Sequence, residues 1–193
     1  MSISLYNATI GCYLQTIPPI LGCLDKARAF CIKRGMDCEK LLESRLHASM
    51  LPLHFQIITM LHFSEGAIIG AKTGKLGGPD MTLSFTFDQL QTHLCESLKR
   101  IGEFDPADIE GLCGGEVVFQ YHDVTLPFLT EDFFQSYATP NFYFHTTTAY
   151  AILRAFGVPV GIADYIGTVR TTHGSKLAAD VKQQTGEEYL AIL

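Results

Sequence analysis

The sequence predicts an all-α fold, an up-and-down four-helix bundle with a small β-hairpin before the last long helix. Apolar residues recur at helical spacing in four long segments, which loops of short or medium length separate. One pair of short β-prone runs precedes the fourth segment. The sequence shows no repeat at a solenoid period, so a single bundle accounts for the pattern.

Composition restricts the class of protein. The 193 residues suit one domain, and we expect residues 1–167 to form the bundle and residues 168–193 to form a C-terminal extension. A net charge of -6 without clustered Lys and Arg argues against a nucleic-acid partner. No apolar run is long enough to span a bilayer, so we expect a cytoplasmic protein without a membrane partner.

Hydrophobic residues make up 47% of the chain and charged residues only 18%. This balance leaves apolar surface on a monomer of this size, and we therefore expect a homodimer. The six cysteines are scattered without a CxxC pair, which favours reduced thiols over a disulfide framework or a zinc site.

The first predicted helix covers residues 3–33, where apolar residues follow helical spacing. Pro18 and Pro19 stand in its middle. Because a proline lacks the N–H and its ring clashes with the preceding turn, the pair predicts an interruption of the helix. Gly35 predicts its C-terminal end.

The second predicted helix covers residues 38–72, with Pro52 as a kink or as the first residue of a new segment. The third begins after Thr86, which has Gln89 at the spacing of a capping box. Its apolar stripe is Leu90, Leu94, Leu98 and Ile101.

A one-turn helix is predicted next, with Asp105 as its N-cap and Pro106 as its first residue. The two β-prone runs in "EVVFQYHDVTLPF" predict a hairpin with His122 and Asp123 in its turn.

The last long helix is predicted to be capped by Thr130 and to end near Gly157. The tail is polar and mixed, and "SKLAADVKQQ" at residues 175–184 predicts a further short helix.

His145 is the main candidate for chemistry, because it shares a half-polar helical face with Asn141 and Thr148, which we expect to bind substrate. His62 lies on the otherwise apolar stripe of the second helix. We expect both histidines to face each other across the core, around a cavity that admits a small molecule. The structural alternative is that His145 is a core histidine hydrogen-bonded to a neighbouring group.

An apolar pocket favours the neutral form of histidine at pH 7, which suits a general base. The sequence lacks a dinucleotide fingerprint, a GxSxG elbow and an HExxH motif, and "GAKTGK" departs from the P-loop spacing. The favoured interpretation is an enzyme of small-molecule metabolism that needs no cofactor. Proton transfer at His145 and His62, as in isomerisation or dehydration, is the expected chemistry.

The stretch "PNFYFHTTTAYAILRAFGVPVGIADYIG" closely resembles the C-terminal signature of the DUF1993 family, a branch of the DinB/YfiT-like superfamily of metalloenzymes. "SLYNATI", "LDKA" and "RLHASMLPLHFQI" match in the same order, so the resemblance spans residues 4–167. It implies a DinB-like bundle. It also implies that the hydroxyl of Tyr6 reaches the pocket as a substrate-binding group.

Many DinB-like proteins hold a divalent metal with one histidine of the second helix and two histidines four residues apart on the last. His62 and His145 fill two of these positions, but Ala149 stands at the third. A third ligand would have to be Glu65, one turn after His62, or His54, two turns before it. His54 is otherwise expected to bind substrate.

Two alternatives to the favoured function therefore stay open. One is a DinB-type hydrolase or transferase that depends on a divalent metal such as Zn or Ni. The other is a non-catalytic binding protein or stress-related dimer, in which His145 and Asn141 contribute to stability alone.

Overall fold

The computed structural model describes residues 3–170, which are mostly helical and include three short strands. The helix predicted at residues 175–184 lies outside the described residues. None of the helices within residues 3–170 has the length and apolar character needed to cross a bilayer.

The first helical segment consists of α1, Leu5–Ala8, and α2, Ile10–Arg34. The predicted interruption at Pro18 and Pro19 is wrong, because α2 runs through both prolines. Both rings lie away from the fully buried face of the helix, and the φ angle that proline imposes is itself helical. Packing of the buried face thus outweighs two missing hydrogen bonds. The predicted end is confirmed, since Gly35 adopts the left-handed conformation with φ 62°.

The second predicted helix is divided into several pieces. It contains α3, Cys38–Leu42; α4, Leu53–Leu61; a π-helical segment, π1, at His62–Gly66; and α5, Ala67–Thr73. Pro52 directly precedes α4, so it begins a new segment and does not kink a continuous helix.

The third predicted helix is confirmed as α6, Phe87–Gly102. Thr86 and Gln89 form the expected capping box, and the stripe of α6 packs on α2. The one-turn helix is confirmed as α7, Pro106–Glu110, with the Asp105 side chain accepting a hydrogen bond from the N–H of Ala107.

The chain also forms a small sheet in the order β1-β2-β3, so the fold is not all-α. β1 is Lys75–Gly77, β2 is Glu116–Tyr121 and β3 is Val124–Leu129. The predicted hairpin of β2 and β3 is confirmed, with His122 and Asp123 between the strands. The strand that the sequence did not predict is β1, which pairs parallel to β2.

The last helical segment consists of α8, Thr130–Asp132; a second π-helical segment, π2, at Phe133–Ala138; and α9, Thr139–Phe156. Thr130 is the first helical residue and its side chain makes no capping hydrogen bond, contrary to expectation. The predicted end is confirmed by Gly157, at φ 101°. A short helix that was not predicted, α10, follows at Ile162–Ile166.

The packing of α4 along α9 positions the candidate site. It brings the two π-helical segments together, because Phe63 of π1 and Tyr137 of π2 have ring centroids 5.7 Å apart. π-helical turns often occur at functional sites, since the extra residue redirects side chains.

Candidate functional site

His145 is half-buried on α9 and is held by Gln56 of α4. Its Nδ1 lies 2.7 Å from Oε1 of Gln56, whose Nε2 donates to the carbonyl of Leu51 at 2.8 Å. Because that donation fixes the amide orientation, Oε1 is an acceptor and Nδ1 of His145 must carry the proton. Nε2 of His145 therefore keeps its lone pair.

Three phenylalanine rings surround the imidazole of His145. Phe63 is stacked nearly parallel to it, with centroids 6.3 Å apart. Phe55 and Phe144 meet it edge to face, at 6.3 and 5.1 Å. These apolar neighbours replace water that would otherwise stabilise a charged ring.

His62 is the second histidine of the site, and its side chain is hydrogen-bonded to the sheet. Its Nε2–H donates to the carbonyl oxygen of Gly77 in β1 at 2.9 Å, which leaves the lone pair on Nδ1. Its ring lies 4.9 Å from that of Phe63, which also contacts His145. The structure thus brings both predicted histidines into contact with one phenyl group.

Both histidines favour the neutral form. Burial and, to a smaller extent, the proximity of His62 lower the pKa of His145 to about 4. Burial also lowers the pKa of His62, against the opposing effect of its hydrogen bond to Gly77. At pH 7 the site therefore holds two uncharged imidazoles, each with one available lone pair.

Comparisons with known proteins identify the family. A family model described as a domain of unknown function, DUF1993, matches residues 5–166. The chain belongs to the DUF1993 family.

A crystal structure of a DinB family member protein from Shewanella denitrificans has the same fold as this DUF1993 chain, with a TM-score of 0.74 at 27% sequence identity. The match covers 87% of this chain and 94% of that one. It supports the DinB-like resemblance that the sequence indicated. None of the curated proteins compared with the chain matches it.

The polar residues predicted beside His145 form side-chain hydrogen bonds to backbone carbonyls of their own helical segment. Asn141 donates from Nδ2 to the carbonyl of Tyr137 at 2.8 Å, and Thr148 donates from Oγ1 to the carbonyl of Phe144 at 2.7 Å. No hydrogen bond to the side-chain oxygen of Asn141 is seen among residues 3–170. Thr148 is nearly fully buried, and its hydroxyl proton is occupied.

Tyr6 and His54 are not brought to His145 by any hydrogen bond or ring contact within residues 3–170. Tyr6 lies on α1, where its backbone N–H donates to Glu110 of α7 at 2.8 Å. Nδ1 of His54 lies 3.8 Å from Oε1 of Glu43. His54 is two residues before Gln56, so helical geometry turns the two side chains to different faces of α4.

The donors of this DUF1993 chain do not fit a three-ligand metal site. Glu65 contacts α6, where it pairs with Nε of Arg100 at 2.5 Å and accepts a hydrogen bond from Ser97 at 2.6 Å. Burial raises the pKa of Glu65, but these two partners outweigh it and keep the pKa below its usual value. Among the described residues, no three His, Cys, Asp or Glu side chains converge.

The π-helical geometry explains this placement of Glu65. The expectation that it shares a face with His62 assumed α-helical spacing, but both residues belong to π1. A π-helical turn is wider than an α-helical turn, so it rotates Glu65, three positions after His62, further away from the His62 side chain. Glu65 is therefore not available to complete the alternative ligand set.

The sequence analysis did not single out Gln56, Phe63 or Thr59 as candidate site residues. The signal for Gln56 is a lone amide in the apolar run "FQIITML". Thr59 is almost fully buried, and its hydroxyl has no hydrogen-bond partner among the described residues. It stands three residues from both Gln56 and His62, so helical spacing places it on the side of α4 that carries Gln56.

Two surface cavities occur elsewhere in the described part of the chain. One, of about 420 Å³, lies beside Phe85 and the α6 residue His93. The other, of about 530 Å³, lies between α2 and residues 167–170. Neither includes His145 or His62, so the cavity between the two histidines stays a prediction.

Proposed function

We propose that this DUF1993 protein is an enzyme of small-molecule metabolism in which His145 moves a proton on the substrate, as in isomerisation or dehydration. One observation carries the proposal: Gln56 holds the Nδ1 proton of His145 at 2.7 Å and so leaves Nε2 as an acceptor. A positioned neutral imidazole is the usual general base of enzymes.

The low pKa of His145 indicates what kind of substrate it serves. An imidazole with a pKa of about 4 is a weak base until a negative charge develops beside it. Removal of a proton from a carbon next to a carbonyl creates that charge as an enolate, which stabilises the imidazolium. The buried hydroxyl of Thr59 is a donor for the enolate oxygen, and the free amide oxygen of Asn141 is an acceptor for a substrate hydroxyl.

The finer architecture and setting form part of the same proposal. The four long helical segments form an up-and-down bundle of the DinB type, which the similarity to the DinB family member supports. The protein is cytoplasmic and homodimeric. Exposed apolar side chains support the dimer, Phe144 being 58% exposed beside the candidate site.

Deuterium exchange tests the proposed reaction. The full chain is incubated with pooled cell metabolites, bound compounds are identified by mass spectrometry, and each is then incubated with enzyme in deuterated water. We expect the wild-type protein to exchange a carbon-bound proton of a bound carbonyl compound. His145→Ala removes this exchange, whereas His93→Ala, at a half-buried histidine on α6, retains it.

Three results would contradict the proposal. Exchange that persists in His145→Ala assigns the base elsewhere. Binding without exchange favours the non-catalytic alternative. A stoichiometric ion in protein purified without a histidine tag, removed by chelator together with the exchange, favours the metal-dependent hydrolase or transferase.

A further inference from the structure

The cavity between α2 and residues 167–170 lies outside the site described above. Its volume of about 530 Å³ falls within the range of small-molecule pockets. One wall is the stretch of α2 that contains Pro18 and Pro19, and the other is the segment that follows α10.

The two prolines leave two backbone carbonyls of α2 near this cavity without their helical hydrogen-bond donors. In a continuous helix the carbonyls of Leu14 and Gln15 would accept from the residues four positions later, which are Pro18 and Pro19. Proline has no N–H, so both carbonyls lack their helical donor. All four residues line the cavity, so the two carbonyls without a helical donor belong to residues of its wall.

Arg170 supplies a positive charge on the opposite wall. Its Nε donates to the side-chain oxygen of Gln15 at 3.1 Å. Within residues 3–170 no carboxylate lies at ion-pair distance from it, whereas Arg28 and Arg100 each pair with an acid. The terminal nitrogens of Arg170 therefore remain donors for an anionic group.

Two glycines allow these walls to approach each other. A Cβ atom at position 11 would lie 2.6 Å from Nη1 of Arg170. A Cβ atom at position 167 would lie 2.4 Å from Cγ of Pro19, and Gly167 has a φ of +63°. The guanidinium thus occupies a space that a side chain at position 11 would fill.

We propose that this cavity binds a free α-amino acid with an apolar side chain. The carboxylate pairs with Arg170, the ammonium group donates to the carbonyls of Leu14 and Gln15, and the side chain packs on the rings of Pro18 and Pro19. A simple anion would leave the carbonyls without donors. A simple amine would be repelled by Arg170.

Isothermal titration calorimetry of the full chain tests the ligand class. The probes are L-phenylalanine, L-leucine, 3-phenylpropionate and phenethylamine, of which the last two lack the ammonium group and the carboxylate respectively. We expect saturable binding of at least one of the two amino acids. We also expect binding of L-phenylalanine at least about tenfold tighter than that of either fragment, since each fragment leaves a charged hydrogen bond unmade.

Matched variants test the location. Arg170→Gln removes the charge and should weaken amino-acid binding about tenfold or more. Gly11→Ala should weaken it as well, because the new methyl group displaces the guanidinium. Gly22→Ala is the control, since it makes the same change in the same helix at a position where a Cβ meets nothing within 4 Å, and binding should not change.

Several outcomes would overturn the proposal. Absence of saturable binding up to about 10 mM, above the range of a weak site, would exclude it. Equal binding of 3-phenylpropionate and L-phenylalanine would indicate an anion site instead. Unchanged affinity in both Arg170→Gln and Gly11→Ala would place the amino acid elsewhere.

Discussion

Replacement of Gln56 by glutamate perturbs the candidate site most informatively. The substitution preserves the size and shape of the side chain but places a carboxylate where the amide oxygen now accepts the Nδ1 proton of His145 at 2.7 Å. A negative charge at this position favours the imidazolium form. The pKa of His145 should therefore rise.

The size of the rise follows from the short contact. Two unit charges about 4 Å apart interact by roughly 4 kcal/mol at the effective dielectric typical of protein sites. Since one pKa unit corresponds to about 1.4 kcal/mol, the upper limit is about 3 units. The cost of burying the carboxylate reduces it, so we expect the pKa of His145 to move from about 4 to roughly 6–7 in Gln56→Glu.

Titration by NMR of histidine labelled with ¹³C at Cε1 measures this pKa directly. The signal of His145 is assigned by its loss in His145→Ala. Gln135→Glu is the matched control, because it adds the same charge at an exposed position of π2, where solvent screens it. A pKa that stays near 4 in Gln56→Glu would refute the contact between Gln56 and His145.

Three further predictions concern stability and assembly. The folded pKa of His145 lies below its unfolded value of 6.5, so the unfolded state binds more protons as pH falls. The free energy of unfolding, from urea titrations, should therefore drop between about pH 6.5 and 4 by about 1–2 kcal/mol more in the wild type than in His145→Gln, after solvent screening is allowed for. Glu65→Gln should cost about 1–3 kcal/mol by urea denaturation, because Arg100 loses its carboxylate, and a cost near zero would contradict the packing of π1 on α6. Analytical ultracentrifugation at micromolar concentration should show a dimer, and a monomer alone would contradict that expectation.

Local sequence rules predicted those elements whose determinants lie within a few residues. Thr86 and Gln89 satisfy each other across one helical turn, and Asp105 caps the turn that it begins. Gly157 ends its helix because the left-handed conformation favours glycine. These features depend little on the rest of the fold.

Features that depend on packing were not predictable in this way. Pro18 and Pro19 follow a strong local rule, but the buried face of α2 overrides it. The strand β1 has three residues and pairs with a strand far along the chain, so it carries no periodic signal. No sequence pattern indicates the two π-helical segments either. As a result, the sequence did not predict that π1 places Glu65 away from His62.

The candidate site was predicted in part. Helical periodicity indicated that His145 and His62 both turn toward the core, and the structure places both against Phe63. The partner of His145 was missed, because Gln56 is 89 residues away and their contact depends on the register of α4 against α9.

The tautomer of His145 is the most direct test of the account. Long-range ¹⁵N NMR of the wild-type protein at pH 7 distinguishes the two ring nitrogens. We predict a neutral ring that is protonated at Nδ1 and carries its lone pair on Nε2, as donation to Gln56 requires. A ring protonated at Nε2, or an imidazolium at this pH, would contradict the proposed base.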